Sequence, residues 1–144
     1  MVQQIYTVIM LILAMYSAVL AGCAGGNVIS RENTTTAVVI ENAEYKKISP
    51  QDAEVMMSGD VIILDVRTID EFNIGHIPNA ILLPDNEIAE RAGDVITDKS
   101  QTILVYCRSG GRSERSARLL IDLGYTDVYD FGGIMDWTGE IVRE

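Results

Sequence analysis

The sequence predicts an α/β fold, a three-layer α/β/α domain on a mostly parallel central sheet. Two observations carry that prediction. VIILDV (61–66) is a continuous apolar run, the pattern of a strand covered on both faces, and QTILVY (101–106) is a second strand of the same apolar kind. Between and after such runs come stretches that read as helices, so strands alternate with helices, as a parallel sheet covered by helices requires. At 144 residues the chain is long enough for one domain with a real core and short for two.

In chain order, residues 1–22 (MVQQIYTVIMLILAMYSAVLAG) are apolar, and no charged residue precedes Arg31. The run ends in Leu20-Ala21-Gly22-Cys23. This leader resembles a bacterial lipoprotein signal peptide with its lipobox. The resemblance implies removal of residues 1–22, a lipid on Cys23, and a domain held to a membrane outside the cytoplasm, in the cell envelope. The stretch before the apolar run departs from that pattern, having no Lys or Arg. An uncleaved membrane anchor or a buried helix also fits the length, since a span needs about 20 apolar residues. Residues 24–47, with their GG and TTT, read as a tether ending in a short edge strand.

The domain is expected over residues 48–144. Ser49-Pro50 is a helix entry, with Ser49 as N-cap, Pro50 as first helical residue and Asp52 and Glu54 in the first turn. That helix is expected to run through Met57 and stop at Gly59. After the strand VIILDV, IDEFNIGHIPNA (69–80) is a helical turn and a loop, and AILLP (80–84) a short strand. EIAERAG (87–93) reads as a helix closed by Gly93, and SERSARLLIDLG (113–124) as an amphipathic helix capped by Gly124. DVYDF (127–131) is the last strand, and GGIMDWTGEIV a loop with a short helix.

Eleven Lys and Arg against 21 Asp and Glu give a net charge of −10, all of it from Arg31 onward. So acidic a chain is a poor ligand for nucleic acid or for electrostatic docking on anionic lipid. There are two cysteines, one histidine and no CxxC, which leaves no ligand set for a structural zinc and calls for no metal or cofactor. A single disulfide between Cys23 and Cys107 is arithmetically open, but a cleaved or membrane-held leader keeps the two apart.

The informative stretch is CRSGGRS (107–113). Cys107 ends a strand and the next helix begins a few residues later, the place where ligands bind in parallel sheets. A helix N-terminus offers free N–H groups and partial positive charge, which favour a thiolate. Arg108 and Arg112 add formal charge, and Gly110 and Gly111 let the loop curl its amides inward. The pattern is that of a small anion-binding cup with a nucleophile at its base.

This loop, together with Ile63-Leu64-Asp65-Val66-Arg67, Asp70-Glu71-Phe72, Gly75-His76-Ile77-Pro78 and Asp130-Phe131-Gly132-Gly133 with Trp137, resembles the rhodanese family over residues 48–140. The resemblance implies a sulfurtransferase. Cys107 would take the outer sulfur of a small anionic donor such as thiosulfate, hold it as a persulfide, and pass it to a thiol or protein acceptor. The amides from Arg108, Ser109, Gly110, Gly111, Arg112 and Ser113 would stabilise the sulfur's charge, and Arg112 with Arg108 would hold the donor's sulfonate. Cysteine phosphatases and arsenate reductases share such loops. They require five residues between Cys and Arg, whereas here Arg112 is the fifth residue after Cys107 and Ser113 occupies the sixth. The shorter loop speaks for sulfur transfer.

Four residues outside the loop are supporting candidates. Asp65, Arg67 and Glu71 read as one ion-paired set beside the first long strand, and His76 as a structural residue capping a loop. Arg115 and Arg118 share a helix face, where Glu114 and Arg118 have i, i+4 spacing. Two other functions stay open: a carrier that holds persulfide without turnover, and an interaction domain with an inert loop.

Overall fold

The computed structural model describes residues 43–143; the leader, Cys23 and most of the tether lie outside the described residues. Five strands form one parallel sheet in the order β1-β5-β4-β2-β3, with β1 Lys46–Lys47, β2 Val61–Asp65, β3 Ile81–Leu82, β4 Thr102–Cys107 and β5 Val128–Gly133. The long strands lie in the middle, and the two-residue strands β1 and β3 guard the edges, which leaves little unpaired backbone to template another chain. β1 is the edge strand expected at the end of the tether.

Side-chain alternation along the strands divides the core in two. Ile103, Val105 and Cys107 of β4 join Leu64 and Val66 on one face, under α3 (Ile88–Val95) and α4 (Gly111–Asp122). Leu104 and Tyr106 join Ile63, Ile77 and Phe131 on the other, where Ala53 of α1 (Pro50–Met56) packs. The three-layer arrangement follows directly from strands that are apolar on both sides.

The helix boundaries show where local signals hold and where packing overrides them. Ser49 caps α1, its hydroxyl accepting the Asp52 N–H at 3.1 Å. The helix ends at Met56, and the turn closes when the Gly59 N–H bonds the Met56 carbonyl at 3.0 Å. α2 (Ile69–Ile74) opens on a capping box in which Thr68 and Glu71 bond each other's backbone N–H. The strand expected over 80–84 shrinks to Ile81–Leu82, after which the Leu83 and Asp85 N–H groups still bond the Asp65 and Val66 carbonyls, at 2.9 and 3.1 Å. Gly93 does not end α3. Ile88, Ala92 and Ile96 sit one turn apart and are buried, so packing carries the helix through the glycine to Val95. Gly124 does close the next helix, in the left-handed region at φ 93°, with its N–H on the Ile121 carbonyl at 2.8 Å.

α4 begins at Gly111, two residues before the expected Ser113. Gly110, at φ 101°, turns the chain sharply enough for the helix to start at once. Arg112 and Ser113 therefore stand in the first turn of α4, and the cup after Cys107 is shorter than the sequence suggested. The short C-terminal helix is a 3-10 turn, Ile134–Asp136, after which Val142 pairs antiparallel with His76.

Candidate active site

Cys107 ends the central strand β4 and is 1% exposed, so only a slender group can reach its sulfur. The Gly110 N–H donates to Sγ at 3.1 Å, and the thiol lies 3.7 Å from Ser113 Oγ. Burial alone pushes the Cys107 thiol up. The backbone N–H and hydroxyl of Ser113, with the N–H groups of Gly110 and Ser109, outweigh it and hold the thiol below its ordinary value. This is the local logic expected of a nucleophile: the anion is favoured by fixed dipoles at a helix N-terminus.

The Ser113 hydroxyl has one proton and two carbonyls in reach, Gly110 at 2.9 Å and Gly132 at 3.1 Å. It thereby ties the loop to the end of β5. Gly133 closes that wall. A Cβ there would stand 2.4 Å from the Arg108 carbonyl oxygen and 2.7 Å from Ser109 Cα. The Met135 N–H bonds the same carbonyl at 3.2 Å. The pair of glycines after DVYDF is thus a close approach of two backbones. Their side of the cup has no separate signal in the CRSGGRS stretch.

The two arginines of the loop part company. Arg112 makes a bidentate pair with Glu71, Nη1 to Oε2 at 2.7 Å and Nη2 to Oε1 at 2.8 Å. Arg108 is exposed and has no ion-pair partner among the described residues. The free formal charge at the loop is therefore that of Arg108. The expected triad of Asp65, Arg67 and Glu71 is corrected by the same geometry. Glu71 sits at the third residue of α2, facing the first turn of α4, and pairs there instead of with Arg67.

Hydrogen bonds from the Arg112 guanidinium hold the Glu71 carboxyl down at about 2. Its folded value is depressed, so the stabilisation is complete above about 4.5 and is lost as pH falls toward about 2. Glu71→Gln is expected to cost about 1 kcal/mol near neutral pH, a drop of several degrees in Tm. Thermal unfolding from pH 7 to 2 should show the gap between the variant and the parent closing across that acid window.

Asp65 and Arg67 form their own buried pair, 0% and 5% exposed. Arg67 Nη2 lies 2.6 Å from Asp65 Oδ2, and the Arg67 backbone N–H and Nε both reach Oδ1, at 3.0 and 2.9 Å. Arg67 also bonds the Gly75 carbonyl at 2.8 Å, which fastens the loop after α2 to the carboxyl end of β2. His76 is buried and stacks flat on Phe72, with ring centroids 3.6 Å apart and its Nδ1 3.1 Å from the Phe72 carbonyl. Its backbone holds Val142. Its side chain fastens α2 to the loop through Phe72. Glu114 and Arg118 pair at 3.0 Å as their spacing implies, and Arg115 reaches Asp85 at 3.3 Å on an open surface.

A depression of about 300 Å³, lined by Arg67, Glu71, Ile74, Arg108, Ile134 and Met135, adjoins the loop. A larger hollow of about 440 Å³ near Leu82, Pro84 and Arg91 is not lined by Cys107 or its loop. Chemically, the loop beside the first place joins a thiolate-favouring cysteine and the amides that surround it, and Arg108 brings a free cation to both. It suits attack on a small anion.

The Rhodanese-like domain model matches residues 49–140. The thiosulfate sulfurtransferase PspE of Escherichia coli is 36% identical over 73 residues, covering 51% of this chain and 70% of PspE. The putative sulfur carrier protein YrkF of Bacillus subtilis is 32% identical over 112 residues, covering 77% of this chain and 56% of YrkF. Among solved structures, a rhodanese with anions from E. coli superposes with a TM-score of 0.55 at 32% identity, over 58% of this chain and 98% of that one. Strands β2 to β5, the cysteine loop and the twin-glycine wall all fall inside the matched span, and on these grounds the chain belongs to the rhodanese-like domain family.

Proposed function

We propose that this chain is a sulfurtransferase of the thiosulfate type, working through a persulfide on Cys107. The observation that carries the reading is the sulfur itself: buried at the end of β4, it accepts the Gly110 N–H at 3.1 Å and is held toward thiolate by the surrounding donors. The thiolate attacks the outer sulfur of the donor. A sulfur–sulfur bond forms to Cys107, the donor's own sulfur–sulfur bond breaks, and sulfite leaves with the electron pair. An acceptor nucleophile then attacks the outer sulfur of the persulfide, and the Cys107 thiolate departs unchanged. The loop amides balance the negative charge at both stages, Arg108 draws the sulfonate, and Arg112 with Glu71 frames the cup. The low exposure of Sγ favours a small donor over a bulky one.

A carrier that loads sulfur without steady turnover is the second reading, and the similarity to a protein named as a putative sulfur carrier favours it. A thiosulfate:cyanide assay separates the two. Many turnovers per cysteine are expected for the enzyme; one sulfur taken up and no steady state would establish the carrier.

We also propose that Cys23 is lipidated after removal of residues 1–22, which would tether the domain at a membrane outside the cytoplasm, in the cell envelope. The support is Leu20-Ala21-Gly22-Cys23 closing an apolar leader. Cys23→Ala in the full chain should release the protein from membranes and abolish the lipid's added mass. Unchanged fractionation and mass would refute the anchor.

A further inference from the structure

The buried carboxylate of Asp130 has no part in the chemistry above, yet it stands behind the cysteine loop. We infer that Asp130, gripped by Tyr45 and Lys47 from β1 and the residue before it, is a positioning residue that fixes the Gly132 side of the Cys107 cup. The inference rests on the sulfur-transfer reading for its purpose, but its geometry and its test do not depend on that reading.

Asp130 is 0% exposed and lies in register with Val105, two residues before Cys107 on the neighbouring strand. Its Oδ1 accepts the Gly132 N–H at 2.9 Å. Its Oδ2 accepts the Tyr45 hydroxyl at 2.7 Å and Lys47 Nζ at 3.2 Å. The carboxylate is thus fully engaged, as a buried charge must be. Gly132 is held at φ 90°, a conformation that only glycine takes freely. From there its carbonyl meets the Ser113 hydroxyl, and Ser113 Oγ lies 3.7 Å from the sulfur. On the other side, a Cβ at Gly110 would stand 3.6 Å from Gly132 Cα and 3.9 Å from Lys47 Nζ. Gly110 supplies the shortest bond to Sγ. One hydrogen bond therefore runs from Asp130 through Gly132 to Ser113, and the Gly132 backbone bounds the space that a side chain at Gly110 would need.

The grip comes from outside the family's matched span. That span starts at residue 49, whereas Tyr45 and Lys47 precede it. β1 pairs Lys47 with Asp130, and the Ile48 N–H bonds the Asp130 carbonyl at 3.0 Å, so backbone and side chains hold the same residue. The Tyr45 ring lies under the Arg118 guanidinium, 4.1 Å away, which fixes the phenol's direction. The end of the tether is in this way a structural part of the site.

The test is alkylation of Cys107 by iodoacetamide, followed by mass across pH 5 to 10, in full-length protein carrying Cys23→Ala so that one thiol remains. The titratable and charged groups around Asp130 and the cup are Tyr45, Lys47, Arg108, Arg112 and Arg118 with the carboxylates of Glu71, Asp85 and Glu114, and all are kept except where named. Tyr45→Phe with Lys47→Met should slow alkylation at pH 7 several-fold and move its midpoint to higher pH. Asp130→Ala should slow it about tenfold, one pKa unit of lost thiolate stabilisation. Asp130→Asn, which keeps an acceptor for the Gly132 N–H, should recover most of the parent rate. Should Asp130→Ala fail to fold, the Tyr45 and Lys47 pair and the Asn variant decide the matter. Parent rates and midpoint in the folded Tyr45→Phe/Lys47→Met protein, or no recovery in folded Asp130→Asn, would overturn the inference. Failure of sulfur transfer itself would appear separately, as absent loading in the parent with its alkylation profile intact.

Discussion

Gly133→Ala is expected to collapse the cysteine cup. The backbone at Gly133 has φ −117° and ψ 145°, ordinary extended geometry that alanine adopts without strain. The penalty is therefore purely steric. The added Cβ would stand 2.4 Å from the Arg108 carbonyl oxygen and 2.8 Å from its carbon, both backbone atoms with no side-chain freedom to yield. Either β5 or the loop must move, and the loop is the less supported of the two. Overpacking of this kind costs about 1–3 kcal/mol. The functional cost is larger, because a shift of the Arg108–Gly110 backbone removes the N–H bonds that favour the thiolate. Cys107 reactivity toward iodoacetamide at pH 7 should fall more than about tenfold, since each pKa unit of lost stabilisation counts that much. A parent-like rate in the folded variant would show that the loop is held by something other than this contact.

The largest stability effect is expected from Asp65→Ala. Arg67 is buried, and the substitution leaves its guanidinium with the Gly75 carbonyl as hydrogen-bond partner and the Tyr106 ring beside it. Removing one partner of a buried pair costs about 3–5 kcal/mol, chiefly because the other charge stays buried and unpaired. For a domain whose total stability lies in the usual range of about 5–15 kcal/mol, that is at least about a fifth of it and up to the whole. The paired replacement Asp65→Leu with Arg67→Met should recover part of the loss, since it removes the unpaired charge but leaves the Arg67 backbone N–H and the Gly75 carbonyl without their side-chain partners. Urea unfolding of the three proteins checks both statements. If Asp65→Ala proves mild, water or a side-chain shift is compensating Arg67. If the double variant is as unstable as the single, Arg67 holds the Gly75 loop by a bond the domain cannot lose.

Much of this was legible in residues whose signal is local. VIILDV and QTILVY announce buried parallel strands because both of their faces are apolar, and Ser49-Pro50 announces a helix because cap and first-turn chemistry lie next to each other in the chain. Cys107 at the end of a strand, before glycines and a helix, likewise carries its meaning within seven residues. What escaped the sequence is pairing across distance. Glu71 reaches Arg112, 41 residues away, whereas Arg67 stood nearer in the chain and seemed the natural partner. Asp130 finds Tyr45 85 residues away. No periodicity encodes such pairs, since they arise only when strand order sets β2 beside β4 and β1 beside β5. Gly93 misled for the opposite reason: its helix-ending tendency is worth roughly 1 kcal/mol, and the buried Ile88, Ala92 and Ile96 outweigh it.

The central claim is that Cys107 carries sulfur, and intact mass measures it most directly. The purified domain from about residue 30, and its Cys107→Ser variant, would be weighed before and after thiosulfate. A gain of one sulfur atom on the parent, removed by cyanide and absent from Cys107→Ser, is the predicted result. An unchanged parent mass with thiosulfate and with other persulfide donors would contradict the account, and would mean that the cup receives a different anion.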